Sequence, residues 1–246
     1  MGHIDVVSER EFDEPVLVEG LPGAGLVGKI VADHLVEAFD MDHYANVHCD
    51  ALPPAASYSG EDRTVRTPVR LHATDDSDML VLQSDVPVSP DAAEEFGGCI
   101  AEWFDEASVT PLYVAGLRRD GSAEGPPALH GIAVGDGGTM LDRAGLTGPE
   151  SPGLVSGPTG ALLAHALETG LDAVGIVVDV DSQFPDPMAA RVVLEGAIEP
   201  ITGLDVSVDE LEEQAERIQR AKERLATRMQ QGDRTVSQAQ TLRMYQ

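Results

Sequence analysis

The sequence predicts an α/β protein: a three-layer α/β/α domain around a mixed, mostly parallel sheet, followed by an amphipathic helix and a polar tail. Three observations carry this prediction. Short apolar runs bounded by Gly, Pro and Asp alternate with longer segments of helical periodicity. Two of those runs, Met79-Leu-Val-Leu82 and Val174-Gly-Ile-Val-Val178, are apolar on both faces, as strands covered by helices on both sides must be. After Gly203 the alternation gives way to one long stretch with an apolar seam down a single side.

Taken in order, residues 1–13 read as a polar leader and 14–204 as the α/β/α domain. Pro15–Gly20 is a strand, and Leu26–Phe39 an amphipathic helix entered through a Gly-rich turn. The apolar runs Tyr44–Cys49, Val69–Ala73, Met79–Leu82, Leu112–Leu117, Gly131–Val134 and Val174–Val180 come next as strands. Asp91–Glu106, Thr159–Glu168 and Pro187–Ile198 are the interleaved helices, the last with Asp186 as N-cap and Pro187 at its first position. Residues 205–231 form a C-terminal helix, opened by the capping-box spacing Ser207-Val-Asp-Glu210. Leu211, Ile218, Leu225 and Met229 mark its narrow apolar seam, which suits oligomerisation or presentation of the tail. Gly232 ends the helix, and 232–246 is a tail too polar to offset its own ordering entropy.

Composition restricts the function. Forty-three acidic residues against sixteen basic ones give a formal charge of −27, and only Lys29 and Lys222 are lysines. Such an acid excess suits a halophilic cytoplasm, where molar salt cuts the Debye length to about 3 Å and screens self-repulsion. A chain without a basic, aromatic-laced patch is not built for nucleic acid. No apolar run approaches the ~20 residues of a membrane span, and no signal peptide is expected, which predicts a cytoplasmic protein. Cys49 and Cys99 lack C-x-x-C spacing and read as buried free thiols; the seven histidines show no metal-binding spacing.

One local motif points to a ligand. Gly23-Ala-Gly25-Leu-Val-Gly28-Lys29, preceded by Gly20, lies between a strand and a helix and satisfies G-x-G-x-x-G. Ile30 stands where a phosphate loop needs Ser or Thr for Mg²⁺, which argues against a nucleotide triphosphatase. A nucleoside- or dinucleotide-binding enzyme or sensor is the alternative reading, with Asp50 where a ribose-binding acid would stand. Against it, Gly20, Gly23, Gly25 and Gly28 serve equally to pack the first helix on the first strand. No nucleophile, base and electrophile assemble, so no catalytic residue, cofactor or metal is assigned.

Gly20-Leu-Pro-Gly-Ala-Gly-Leu-Val-Gly28, Gly157-Pro-Thr-Gly-Ala-Leu-Leu163, Asp186-Pro-Met-Ala-Ala190, Leu194 and Leu211 succeed one another in an order that resembles the archaeal, here haloarchaeal, branch of the proteasome assembly chaperone family. The resemblance implies a phosphorylase-like α/β/α fold without a catalytic site, a C-terminal helix, and a homo-oligomer, with or without a paralogue. It also implies that Met244, Tyr245 and Gln246 are a hydrophobic–Tyr–any motif that docks between α subunits of the core proteasome. An aromatic anchor beside a terminal carboxylate is a sound peptide ligand on physical grounds alone.

Overall fold

The computed structural model describes residues 2–58, 63–75, 77–118, 125–181, 183–218 and 220. Ten strands are described: β1 (Gly2–Val6), β2 (Val16–Gly20), β3 (Asp42–Cys49), β4 (Ser57–Tyr58), β5 (Val65–Arg66), β6 (Val69–Ala73), β7 (Met79–Ser84), β8 (Thr110–Arg118), β9 (Leu129–Val134) and β10 (Ala173–Val180). The helices are α1 (Val27–Ala38), α2 (Ala93–Glu106), α3 (Gly137–Ala144), α4 (Gly157–Thr169), α5 (Pro187–Val193), α6 (Glu199–Thr202) and α7 over 209–218. A π turn, Leu194–Ile198, joins α5 to α6.

Eight strands form one sheet in the order β1-β3-β6-β7-β2-β8-β10-β9, and β4 and β5 form a separate hairpin. The sheet is mixed, but its parallel share is smaller than the sequence suggests. Only the pairs β2–β7, β2–β8 and β8–β10 are parallel. The pairs β1–β3, β3–β6, β6–β7 and β9–β10 are antiparallel. The reason is connectivity: β6 and β7 are joined by five residues, too few for a parallel crossover, so they pair as a hairpin.

Each face of the sheet carries its own core. One consists of Val18, Val114, Ile176 and Val178 under Val31 and Leu35 of α1, Ala190 and Val193 of α5, Leu141 of α3 and Leu211 of α7. The other consists of Leu17, Leu71, Leu80 and Tyr113 under Phe96, Ile100 and Phe104 of α2 and Leu162 and Ala166 of α4. Helices on both faces make the three layers, and adjacent residues of β2 feed opposite cores, which is why that strand is apolar throughout except at Glu19.

Three local expectations change. Within the expected leader, Gly2–Val6 is the edge strand β1, paired with β3. Its alternation is too short and polar to read without the partner strand. Cys49 on β3 and Cys99 on α2 are a disulfide, not free thiols; their Cα atoms stand 5.9 Å apart because α2 crosses directly over β3. Gly2 lies against Cys99, where a Cβ would collide with the sulfur. The helix α3 is one that the apolar periodicity does not predict, although Gly145 in the left-handed conformation closes it as a glycine C-cap should.

Candidate functional site

The carboxyl ends of the central parallel strands are where an open α/β sheet places ligands. In this chain the Gly-rich segment 20–28 leaves β2 at that end, and the loop 181–186 leaves β10 beside it. The two meet directly: the Asp186 N–H donates to the Gly25 carbonyl at 2.8 Å. Asp186 then uses its carboxylate twice, accepting from Ala189 N at 3.1 Å as the helix cap the spacing predicts, and from Asp181 N at 2.9 Å. One residue thus closes the loop and starts α5 through its side chain, and holds the Gly-rich turn through its backbone N–H.

The glycines fit against the protein itself. A Cβ on Gly20 would strike Ala32 and come within 2.7 Å of the Leu82 carbonyl. One on Gly28 would lie 3.1 Å from the Leu21 carbonyl, and one on Gly25, at φ +64°, would lie 3.0 Å from the Val180 Cβ. Gly23 alone of the four faces open space. From the other side, Gly116 of β8 admits the Ala24 carbonyl, which a Cβ would approach to 2.5 Å. The close approach that a pyrophosphate would require is therefore taken by strand, helix and loop atoms. Asp50 is exposed at the end of β3, three strands from β2 and so roughly 14 Å across the sheet, out of reach of a ribose held at the loop.

Beside this turn lies Glu19, which the sequence hides within an apolar strand. It is 0 % exposed. Its carboxyl accepts from Leu21 N at 2.9 Å, Val114 N at 3.2 Å and the Thr159 hydroxyl at 3.3 Å. Burial drives its pKa up to about 7, against the opposing pull of those three donors. A buried carboxyl with a raised pKa marks many active sites. This one is sealed, however, and acts as a polar rivet joining β2, β8 and the first turn of α4.

A second polar cluster surrounds Lys29. Its ammonium contacts Asp33 at 3.0 Å and Asp85 at 3.5 Å. Asp85 also accepts from Arg70 at 2.6 Å and Ser57 at 2.7 Å, and Asp33 accepts from Gln83 at 2.8 Å. Burial alone would raise the Asp85 carboxyl; the bonds from Arg70 and Ser57 and the charges of Arg70 and Lys29 outweigh it and hold it below the usual value. Lys29, which a phosphate loop would aim at a ligand, is thus engaged with two carboxylates. Among the described residues no group of three or more His, Cys, Asp or Glu is placed to hold a metal ion. Nor is any described helix long and apolar enough to cross a membrane.

The C-terminal helix is anchored on the domain. Leu211 is 1 % exposed in the core beneath α5, so it packs within its own chain and does not face another copy. His34 of α1 donates from Nε2 to the Ser207 carbonyl at 2.6 Å, and Arg191 of α5 pairs with Glu212. Ile218, one seam residue further out, is only half buried. There it helps line a groove of about 560 Å³ with Met188, Pro185, Ala215, Glu212 and Glu216. Leu225, Met229, Met244, Tyr245 and Gln246 lie outside the described residues.

Comparison with known proteins gives these features a family. Residues 17–226 match the PAC2 family. An uncharacterized protein of Methanocaldococcus jannaschii, MJ0106, is 26% identical over 216 residues, 88% of this chain and 87% of that protein. The crystal structure of Pyrococcus furiosus PbaA, described as an archaeal homolog of proteasome-assembly chaperone, is similar with a TM-score of 0.78 and 25% identity, covering 99% of both chains. The fold of P. furiosus PbaB, described as an archaeal proteasome activator, is similar with a TM-score of 0.77 at 19% identity, over 92% of this chain and 98% of that one. The Gly-rich turn, the Asp186 cap and the anchored Leu211 all fall within the matched span, and the chain belongs to the PAC2 family.

Proposed function

We propose that this protein is a proteasome assembly chaperone or core-particle binding factor that works without ATP. The observation that carries the reading is its likeness, over 99% of both chains, to a protein described as an archaeal homolog of proteasome-assembly chaperone. The filled Gly-rich turn and the sealed Glu19 support a binding protein over an enzyme, because neither leaves room for a substrate beside a reactive group.

In this proposal Tyr245 inserts between neighbouring α subunits of the core proteasome, Met244 packs beside it, and the Gln246 carboxylate pairs with a lysine of the pocket. The helix α7, fixed at Leu211, His34 and Arg191, supplies a stiff base for the segment that carries them. A three-residue ligand covers little area, so one tail binds weakly. Several tails on a homo-oligomer would gain about 10²–10⁴ through effective concentration.

The test is a pull-down with purified α ring or core particle in molar KCl. It compares the full chain, the chain ending at Arg243, and Tyr245→Ala. Binding by the full chain alone is the expected result. Equal binding by all three would move the interface to the folded domain, and no binding by any would remove the proteasome as a partner.

A further inference from the structure

Three elements meet at the Cys49–Cys99 disulfide. Gly2 of β1 is the register partner of Cys49 on β3. It also lies against Cys99 of α2, where a Cβ would come within 3.0 Å of the Cys99 Cα. The bond therefore clamps α2 to β3 with the end of β1 packed against it. The first two elements are firmly held without it. Phe96, Ile100 and Phe104 bury α2 in the core, and β3 pairs with β6 on its other side. The strand β1 is held far less. It lies at the edge of the sheet, with β3 as its one neighbour among the described residues. Ile4 packs on the core, while His3, Asp5 and Val6 are exposed, His3 stacking on His48 at 4.7 Å. A strand with one partner and one core side chain belongs to the least stable part of a fold.

We infer that the Cys49–Cys99 bond is a redox latch on β1: oxidised, it keeps the sheet edge closed, and reduced, it releases β1 and exposes β3. The chemistry is thiol–disulfide exchange with a dithiol. One thiolate of the dithiol attacks a sulfur of the pair, breaking the Cys49–Cys99 bond and forming a mixed disulfide; its second thiol then displaces that cysteine. Two electrons and two protons pass to Cys49 and Cys99, and the dithiol leaves as its own disulfide. Both cysteines are half buried and Gly98 beside them is exposed, so the bond is within reach of a small dithiol. Once cut, the two sulfurs must stand at van der Waals separation, and Gly2 already occupies one side of Cys99. The element held least, β1, is the one that yields. Its departure frees the backbone groups of Ala45–Cys49 that it now pairs, an edge able to accept another extended strand. Nothing in this latch depends on the C-terminal tail.

The test is hydrogen–deuterium exchange of the full chain, read by mass spectrometry in molar KCl with and without dithiothreitol, well below the melting temperature. The expected result is at least tenfold faster exchange across residues 2–6 and 45–49 on reduction, with the central strands β2, β7, β8 and β10 changed far less. Cys49→Ser should exchange like the reduced parent whether or not the dithiol is present, which assigns the effect to this bond. Unchanged exchange in β1 on reduction overturns the inference. So does equal acceleration throughout the sheet, which is global weakening without a latch, and so does a thiol titration that finds both cysteines free in the untreated chain.

Discussion

The Thr159 hydroxyl donates to the Glu19 carboxyl at 3.3 Å, linking residues 140 positions apart. The same carboxyl takes backbone N–H groups from the Gly-rich turn and from β8. This buried group couples the turn, the central strand and the first turn of α4, three segments that share no local sequence signal.

Glu19 should leave a signature in the pH dependence of stability. Its folded pKa is raised from 4.5 to about 7, so its contribution is fully present below the unfolded value and is lost as pH rises through about 7. The shift corresponds to about 3 kcal/mol. Glu19→Gln does not titrate but turns an amide toward a backbone donor, costing about 1–3 kcal/mol. Urea unfolding in constant salt should show the parent clearly ahead at about pH 5 and the gap closing at about pH 8. A gap independent of pH would exclude a titrating Glu19.

Gly25→Val should destabilise the fold without touching any ligand. The residue sits at φ +64°, and its Cβ would press on Val180. Strain of this kind costs about 1–3 kcal/mol. The expected result is a lower denaturation midpoint, with nucleosides and dinucleotides leaving the melting temperature of parent and variant unchanged. A ligand-induced rise in the parent would restore the binding role of the loop.

Reduction should weaken the protein. The Cys49–Cys99 bond spans 50 residues of chain, for which loop-closure entropy gives about 4 kcal/mol. Thermal melts with and without reductant check this, and Cys49→Ser should match the reduced parent. Identical melts would mean that the bond does not form in solution.

Leu211→Ala should cost about 2–5 kcal/mol, the range for emptying a leucine from a packed core. Ile218→Ala, at a half-buried site, should cost less. Chemical denaturation gives both values, and the reverse order would mean that α7 is not anchored through Leu211.

The sequence by itself determined what short-range chemistry decides. The double-sided strands β7 and β10, the helices α1, α2 and α4, the Asp186–Pro187 helix start and the change of character after Gly203 rest on periodicity, caps and turn residues within a few positions of each other. The order of family motifs was legible for the same reason. Only the tertiary structure decided which segments meet. It set β1 on β3, closed Cys49 onto Cys99 and made β6–β7 a hairpin within a mixed sheet that reads as mostly parallel. It filled the Gly-rich turn with Val180 and the loop after it, turned Leu211 inward, and left Leu154 and Leu167 in solvent. The physical reason is that a side chain's burial depends on neighbours far away along the chain. A glycine that admits a phosphate and one that admits a carbonyl look the same in sequence; they differ only in what the fold brings against them.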